Sequence, residues 1–125
     1  MDNRNIELQT AKGTGAEKES LAVKYLRENG VHILAQNFYC KQGEIDIIGR
    51  HGKYLVFVEV KYRHTKKYGM PEDAITFTKR KKICKTADYY RMRYQYNDAV
   101  PVRYDVIAMT DETIVWHQNA FEHIF

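Results

Sequence analysis

The run Gly43-Glu44-Ile45-Asp46-Ile47-Ile48, followed by Tyr54-Leu55-Val56-Phe57-Val58-Glu59-Val60-Lys61-Tyr62, decides the fold. Both stretches are rich in β-branched and aromatic residues, and the second is the strongest strand signal in the chain. His51-Gly52-Lys53 marks a turn between them, so strands are predicted over 44–49 and 54–62. Side chains alternate along a strand, which puts Glu44, Asp46 and Ile48 on one face and Ile45 and Ile47 on the other. By the same rule Glu59 and Lys61 share a face, opposite Val58 and Val60. With Gly52-Lys53 as a two-residue type II′ turn, Asp46 sits directly across from Glu59. A turn one residue earlier makes the two acids diagonal neighbours. Either register gathers the carboxylates.

Outward from this hairpin, Val31 to Tyr39 reads as a preceding strand. Thr14-Gly15-Ala16-Glu17 has the form of a capping box opening a helix, with Leu21, Ala22, Tyr25 and Leu26 at helical spacing and Asn29-Gly30 as the stop. His64 to Pro71 is a polar loop. A second helix is predicted from about Thr78 to Tyr94, striped by Ile83, Ala87, Tyr90 and Tyr94. Strands over 102–109 and 114–117, joined by a turn at Asp111-Glu112, close the chain. The order α-β-β-β-α-β-β describes an α+β protein, a mixed sheet with helices against it. Residues 1–13 show no period and read as a loose lead-in to one domain over 14–125.

With 125 residues, 44% hydrophobic and 29% charged, the chain has the composition of a soluble globular domain and not of a disordered or collagen-like one. No apolar run approaches the roughly 20 residues that cross a bilayer, and no signal-type stretch follows Met1, so a cytoplasmic protein without a membrane partner is expected. Cys40 and Cys84 form no CxxC pair, and the five histidines have no ligand spacing. The net charge is +4, unevenly spread: residues 61–93 hold 11 basic against three acidic residues, a local +8, while the remainder sums to −4. A basic block beside an acidic remainder is the footprint of a polyanion partner, with nucleic acid first; a lysine-rich solvated helix face is the plain alternative.

Like charges apposed on a strand pair repel, and each carboxylate raises the other's pKa. Two acids placed so within Val/Ile-rich strands call for a compensating cation. Carboxylate oxygens suit Mg²⁺ or Mn²⁺, whereas Lys61 alone would make a plain ion-pair cluster. Glu19 borders the apolar stripe of the first helix beside Ala22 and Leu26, from where it can reach a site on the sheet. Lys79 shares the stripe of Ile83 and points toward the sheet. Tyr89, Tyr90, Tyr94 and Tyr96 read as core before they read as base-stacking groups.

Asp46, a spacer, then Glu59-x-Lys61, after an acid on a preceding helix, resembles the PD-(D/E)xK nuclease pattern. More closely, the chain resembles the YraN family of small bacterial proteins. The shared text is Gly43 to Ile48, Val56 to Arg63, Glu19-x-x-Ala22-x-x-Tyr25-Leu26, Gly69, Lys79, Arg103-Tyr104-Asp105-Val106 and Asn119-Ala120-Phe121. The resemblance implies a restriction-endonuclease-like core related to Holliday junction resolvases. It also implies Asp46 and Glu59 as ligands of Mg²⁺ or Mn²⁺, with Lys61 at the attacking water and Glu19 as the helix acid. The Val60 carbonyl is a further candidate ligand. Arg63, Lys66, Lys67, Lys79, Arg80 and Lys82 are the candidate DNA contacts. The expected function is a metal-dependent endonuclease acting on branched or structured DNA, for which symmetric cutting of two strands would favour a homodimer. The alternatives are a non-catalytic nucleic-acid-binding module on the same fold and an assembly protein with a structural ion-pair cluster.

Overall fold

The computed structural model describes residues 15–63 and 75–125. The lead-in 1–13, the cap Thr14, the loop from His64 to Pro71 and with it Lys66, Lys67 and Gly69 lie outside the described residues. The elements are α1 (Gly15–Glu28), β1 (His32–Cys40), β2 (Gly43–His51), β3 (Tyr54–Tyr62), α2 (Phe77–Arg93), β4 (Val102–Met109) and β5 (Ile114–Phe121). Their order is the one read from the sequence, and the α+β class with it. The five strands form one mixed sheet in chain order: β1-β2-β3 and β4-β5 are antiparallel, and β3-β4 is parallel. A parallel pair needs a long crossover, and α2 lies within it.

Alternation along β3 sends residues to two cores. Val56 and Val58 pack with Ile47, Ile107 and Met109 under Leu21, Ala22 and Leu26 of α1. Leu55 and Phe57 pack with Ile45, Ile48 and Val106 under Ile83, Ala87 and Tyr90 of α2. Each helix therefore covers one face of the sheet. The predicted tyrosine stripe belongs to this second core: Tyr90 is buried edge-on to Phe38 and Phe57, and Tyr94 and Tyr96 pack against it.

The β2–β3 turn matches the two-residue reading. His51 pairs with Tyr54, each pair back to Ile47 with Val58 keeps that register, and Gly52 has φ 60°. Two expectations need correction. Ile45 and Ile47 do not share a face, since Ile45 belongs to the α2 core and Ile47 to the α1 core. Strict alternation fails at Asp46, where β2 parts from β3 after the Ile47–Val58 pair. On the other side, Asn37 lies between the pairs Gln36–Ile47 and Phe38–Ile45 with φ 52°, a conformation costly for a residue with a Cβ. The second correction is β5, which runs to Phe121 instead of ending at His117.

A buried polar network carries that extension. The Asp105 carboxylate is fully buried and accepts from the Arg103 guanidinium, Trp116 Nε1 (2.9 Å) and the Asn119 backbone N–H (2.8 Å). The strand slips register between Tyr104 and Val106, with Asn119 at φ 54°, and then pairs Phe121 with Tyr104. Asn119 looks like a strand end because its polar partner, Asp105, lies on another strand.

Candidate functional site

The splaying of β2 from β3 at Asp46 makes a fork at the open end of the sheet, and the chemistry-bearing residues meet there. Asp46 Oδ2 accepts the Val60 backbone N–H at 2.8 Å, so the aspartate side chain takes the donor that a continuing ladder would use. Glu59, one residue earlier on β3, is 6% exposed. The charge of Asp46 acts directly on the Glu59 carboxyl. From α2, Lys79 reaches across and sets its Nζ 2.5 Å from Glu59 Oε2. Lys61 follows Glu59 by two residues on the same face and neighbours the Lys79 ammonium.

A cleft of about 350 Å³ opens on this fork, lined by Gly43, Glu44, Asp46 and Glu59 on the sheet side and by Thr76, Thr78, Lys79, Lys82 and Ile83 of α2 and its start. The Thr76 side chain caps α2 by accepting the Lys79 backbone N–H, which sets the first turn and the direction from which Lys79 enters. Gly43 lets the hairpin come this near the helix. A Cβ there would stand 3.0 Å from Thr86 Oγ1 and 3.4 Å from Lys82 Cβ.

Electrostatics follow from this crowding. Burial, and then the charge of Asp46, push the Glu59 carboxyl up to about 7 against the pull of Lys79. Burial and then the Lys79 charge lower the Lys61 ammonium, against the opposing pull of Glu59 and Asp46. Burial would lower Lys79 too, but its hydrogen bond to Glu59 and the charge of that carboxylate raise it. Glu19, half-buried on α1, is raised by burial and then by Asp46 and Glu44, while a hydrogen bond from the Asn37 side chain opposes the rise.

The structure thus brings Asp46, Glu59, Lys61 and Lys79 together and sets Glu19 within electrostatic reach of Asp46. Among the described residues, no three His, Cys, Asp or Glu side chains gather as a ready-made metal cage. The donor set nevertheless suits a hard cation. It offers carboxylate oxygens on two adjacent strands, one of them buried beside a like charge. Lys82 lines the cleft, and Arg63 follows β3, its backbone N–H bonded to Met109. Arg80 turns elsewhere: its Nε donates to the Ile75 carbonyl and its guanidinium lies over the Phe121 ring. Asn37 is the site residue that the sequence reading missed. An Asn inside a strand pattern, opposite an acid, is the signal that could have drawn attention to it.

Similarity to known proteins extends over most of the chain. The model of a family described as "Uncharacterised protein family UPF0102" matches residues 18–109. A UPF0102 protein of Lachnoclostridium phytofermentans is 47% identical over 111 residues, covering 89% of this chain and 94% of that protein. One from Legionella pneumophila is 43% identical over 110 residues (86% and 93%), and one from Thermodesulfovibrio yellowstonii 44% over 109 (86% and 94%). Among the described residues, no helix is long and apolar enough to cross a membrane.

Proposed function

Because the chain belongs to the uncharacterised protein family UPF0102, a name that specifies no reaction, function has to be read from the fork, and we propose a metal-dependent endonuclease that hydrolyses phosphodiester bonds in DNA, branched or structured DNA being the substrate class. One observation carries this reading: a buried glutamate pressed against an aspartate, in a cleft whose other wall is a basic helix start. Burying one carboxylate beside another destabilises a fold, so the arrangement is best explained by a cation that binds there.

Asp46 and Glu59 would hold Mg²⁺ or Mn²⁺, with the Val60 carbonyl as a main-chain donor and Glu19 at its margin. Such an ion supplies positive charge to the scissile phosphate and lowers the pKa of water. Asp46 is oriented for this by the Val60 N–H, which fixes one oxygen and leaves the other. Lys61, lowered by its surroundings, is suited to orient the attacking water and take its proton. Lys79 and Lys82 at the cleft, with Arg63 beyond β3, would receive the DNA backbone. Contacts of this kind bind with strong salt dependence and little sequence preference. Lys66 and Lys67 belong to the same proposal from the segment outside the described residues. Arg80, tied to Ile75 and Phe121, is the weakest of the proposed contacts.

The test is incubation of the wild type, Glu59→Gln and Lys61→Ala with flap, nicked, four-way and plain duplex DNA, in Mg²⁺, Mn²⁺ or chelator. Cleavage by the wild type alone, lost with chelator, is expected. Cutting that persists in chelator, or at full rate in both variants, would overturn the proposal.

A further inference from the structure

The buried carboxylate already has a cation beside it, and that cation is on a movable arm. Lys79 is 45% exposed, whereas its partner Glu59 is 6% exposed. The lysine therefore enters the cleft from solvent and is not packed in place. Its stem starts in the first turn of α2, held by the Thr76 cap, so the backbone is fixed while four carbons remain free to swing. An ammonium on such a stem is a point charge with three rotatable donors, and a single lysine–carboxylate contact lacks the two-pronged grip of an arginine. Lys61 differs in being only partly exposed, on the strand β3.

We infer that Lys79 is an exchangeable counter-ion: it occupies the Glu59 oxygen while no divalent ion is bound, yields that oxygen when the ion arrives, and then faces the cleft mouth as a receptor for a DNA phosphate. This inference rests on the metal-dependent reading above. A divalent ion gains more than an ammonium from two neighbouring carboxylates, and two cations cannot share one oxygen without strong repulsion at such distances. The released ammonium can turn to the cleft mouth, which Thr78 and Lys82 also line, where a phosphate would meet it. Ion and DNA binding then become coupled, each strengthening the other by the same factor, because the ion frees a group that the phosphate uses.

Lysine acylation of the wild-type protein at pH 8, read by mass spectrometry, tests the exchange directly, with the exposed Lys81 as internal reference. The ion pair should protect Lys79 in chelator, and saturating Mn²⁺ should raise its labelling severalfold relative to Lys81. In parallel, Mn²⁺ titration calorimetry of the wild type and Lys79→Met should show the variant binding the ion severalfold more tightly. Unchanged Lys79 labelling while calorimetry shows Mn²⁺ bound would overturn the exchange and leave the metal site standing. Binding by Lys79→Met but not by the wild type would also overturn the exchange, since Lys79 would then block the site without yielding it. Absence of Mn²⁺ binding by both proteins would sink the inference together with the reading beneath it.

Discussion

The ionisation of Glu59 should make the metal-free protein less stable as pH rises, and replacing this one residue should remove the effect. The carboxyl stands at about 7 in the folded chain against an ordinary 4.5. The folded state thus holds the proton more tightly than the unfolded chain does. The resulting stabilisation is fully present below about pH 4.5 and is lost as pH climbs through about 7. At about 1.4 kcal/mol per pH unit, the interval amounts to about 3 kcal/mol. The group is 6% exposed, so solvent screening takes little from this figure. Glu59→Gln has the same shape and no charge to bury. In chelator it should match the wild type near pH 4.5 and exceed its stability by about 3 kcal/mol near pH 8, a large fraction of a typical domain's total. Urea denaturation followed by the fluorescence of the single tryptophan, Trp116, measures this directly. A Glu59→Gln protein less stable than the wild type at pH 8 in chelator, or a difference constant from pH 5 to 8, would refute the reasoning.

Further outcomes follow from the same contacts. Asp105→Ala strands the Arg103 guanidinium in a site where it is 7% exposed, and should cost about 3–5 kcal/mol in urea denaturation. Gly43→Ala forces a Cβ to within 3.0 Å of Thr86 Oγ1, so a loss of about 1–3 kcal/mol is expected in the same assay, with α2 displaced from the cleft and DNA affinity reduced. Lys82→Ala should lower the salt slope of DNA binding by about one phosphate contact, measured by fluorescence anisotropy across a salt series. Lys85→Ala, removing an exposed lysine that does not line the cleft, should change that slope less.

The parts legible in the sequence are those governed by one strand or helix at a time. The predicted span of β3, Tyr54–Tyr62, is the observed one, a β-branched and aromatic run that starts at the turn of Gly52. The two-residue turn at Gly52 set the register from Ile47 outward correctly. Contacts that join separate segments were not legible. Strand patterning alone ends β5 short, because Asn119 bonds its backbone to Asp105, 14 residues away. Arg80 could be placed on α2 but not turned toward Ile75 and Phe121, since helix periodicity does not fix where a long side chain ends. Alternation alone makes Asp46 one more strand position, yet its carboxylate replaces a strand partner at Val60.

These departures gather at one place. Alternation breaks at Asp46, a non-glycine residue adopts a left-handed conformation at Asn37, and a carboxylate is buried at Glu59. Each raises the free energy of the fold, while the hairpin behind them is regular and its apolar residues fully buried. Local rules are expected to fail where a site is built, and the failures gather where the β2–β3 ladder ends at Ile47–Val58. A closed ladder would bond the Val60 N–H to a backbone carbonyl and leave Asp46 without an orienting partner. The open fork therefore fixes the direction of the aspartate, admits Lys79 from α2 and keeps Glu59 beside a like charge. Asn37, on the β1 side, sets its backbone opposite Asp46, and its side chain opposes the rise of the Glu19 carboxyl. The strain at Asn37 and the repulsion at Glu59 thus flank the same residue, Asp46, on the two sides of β2.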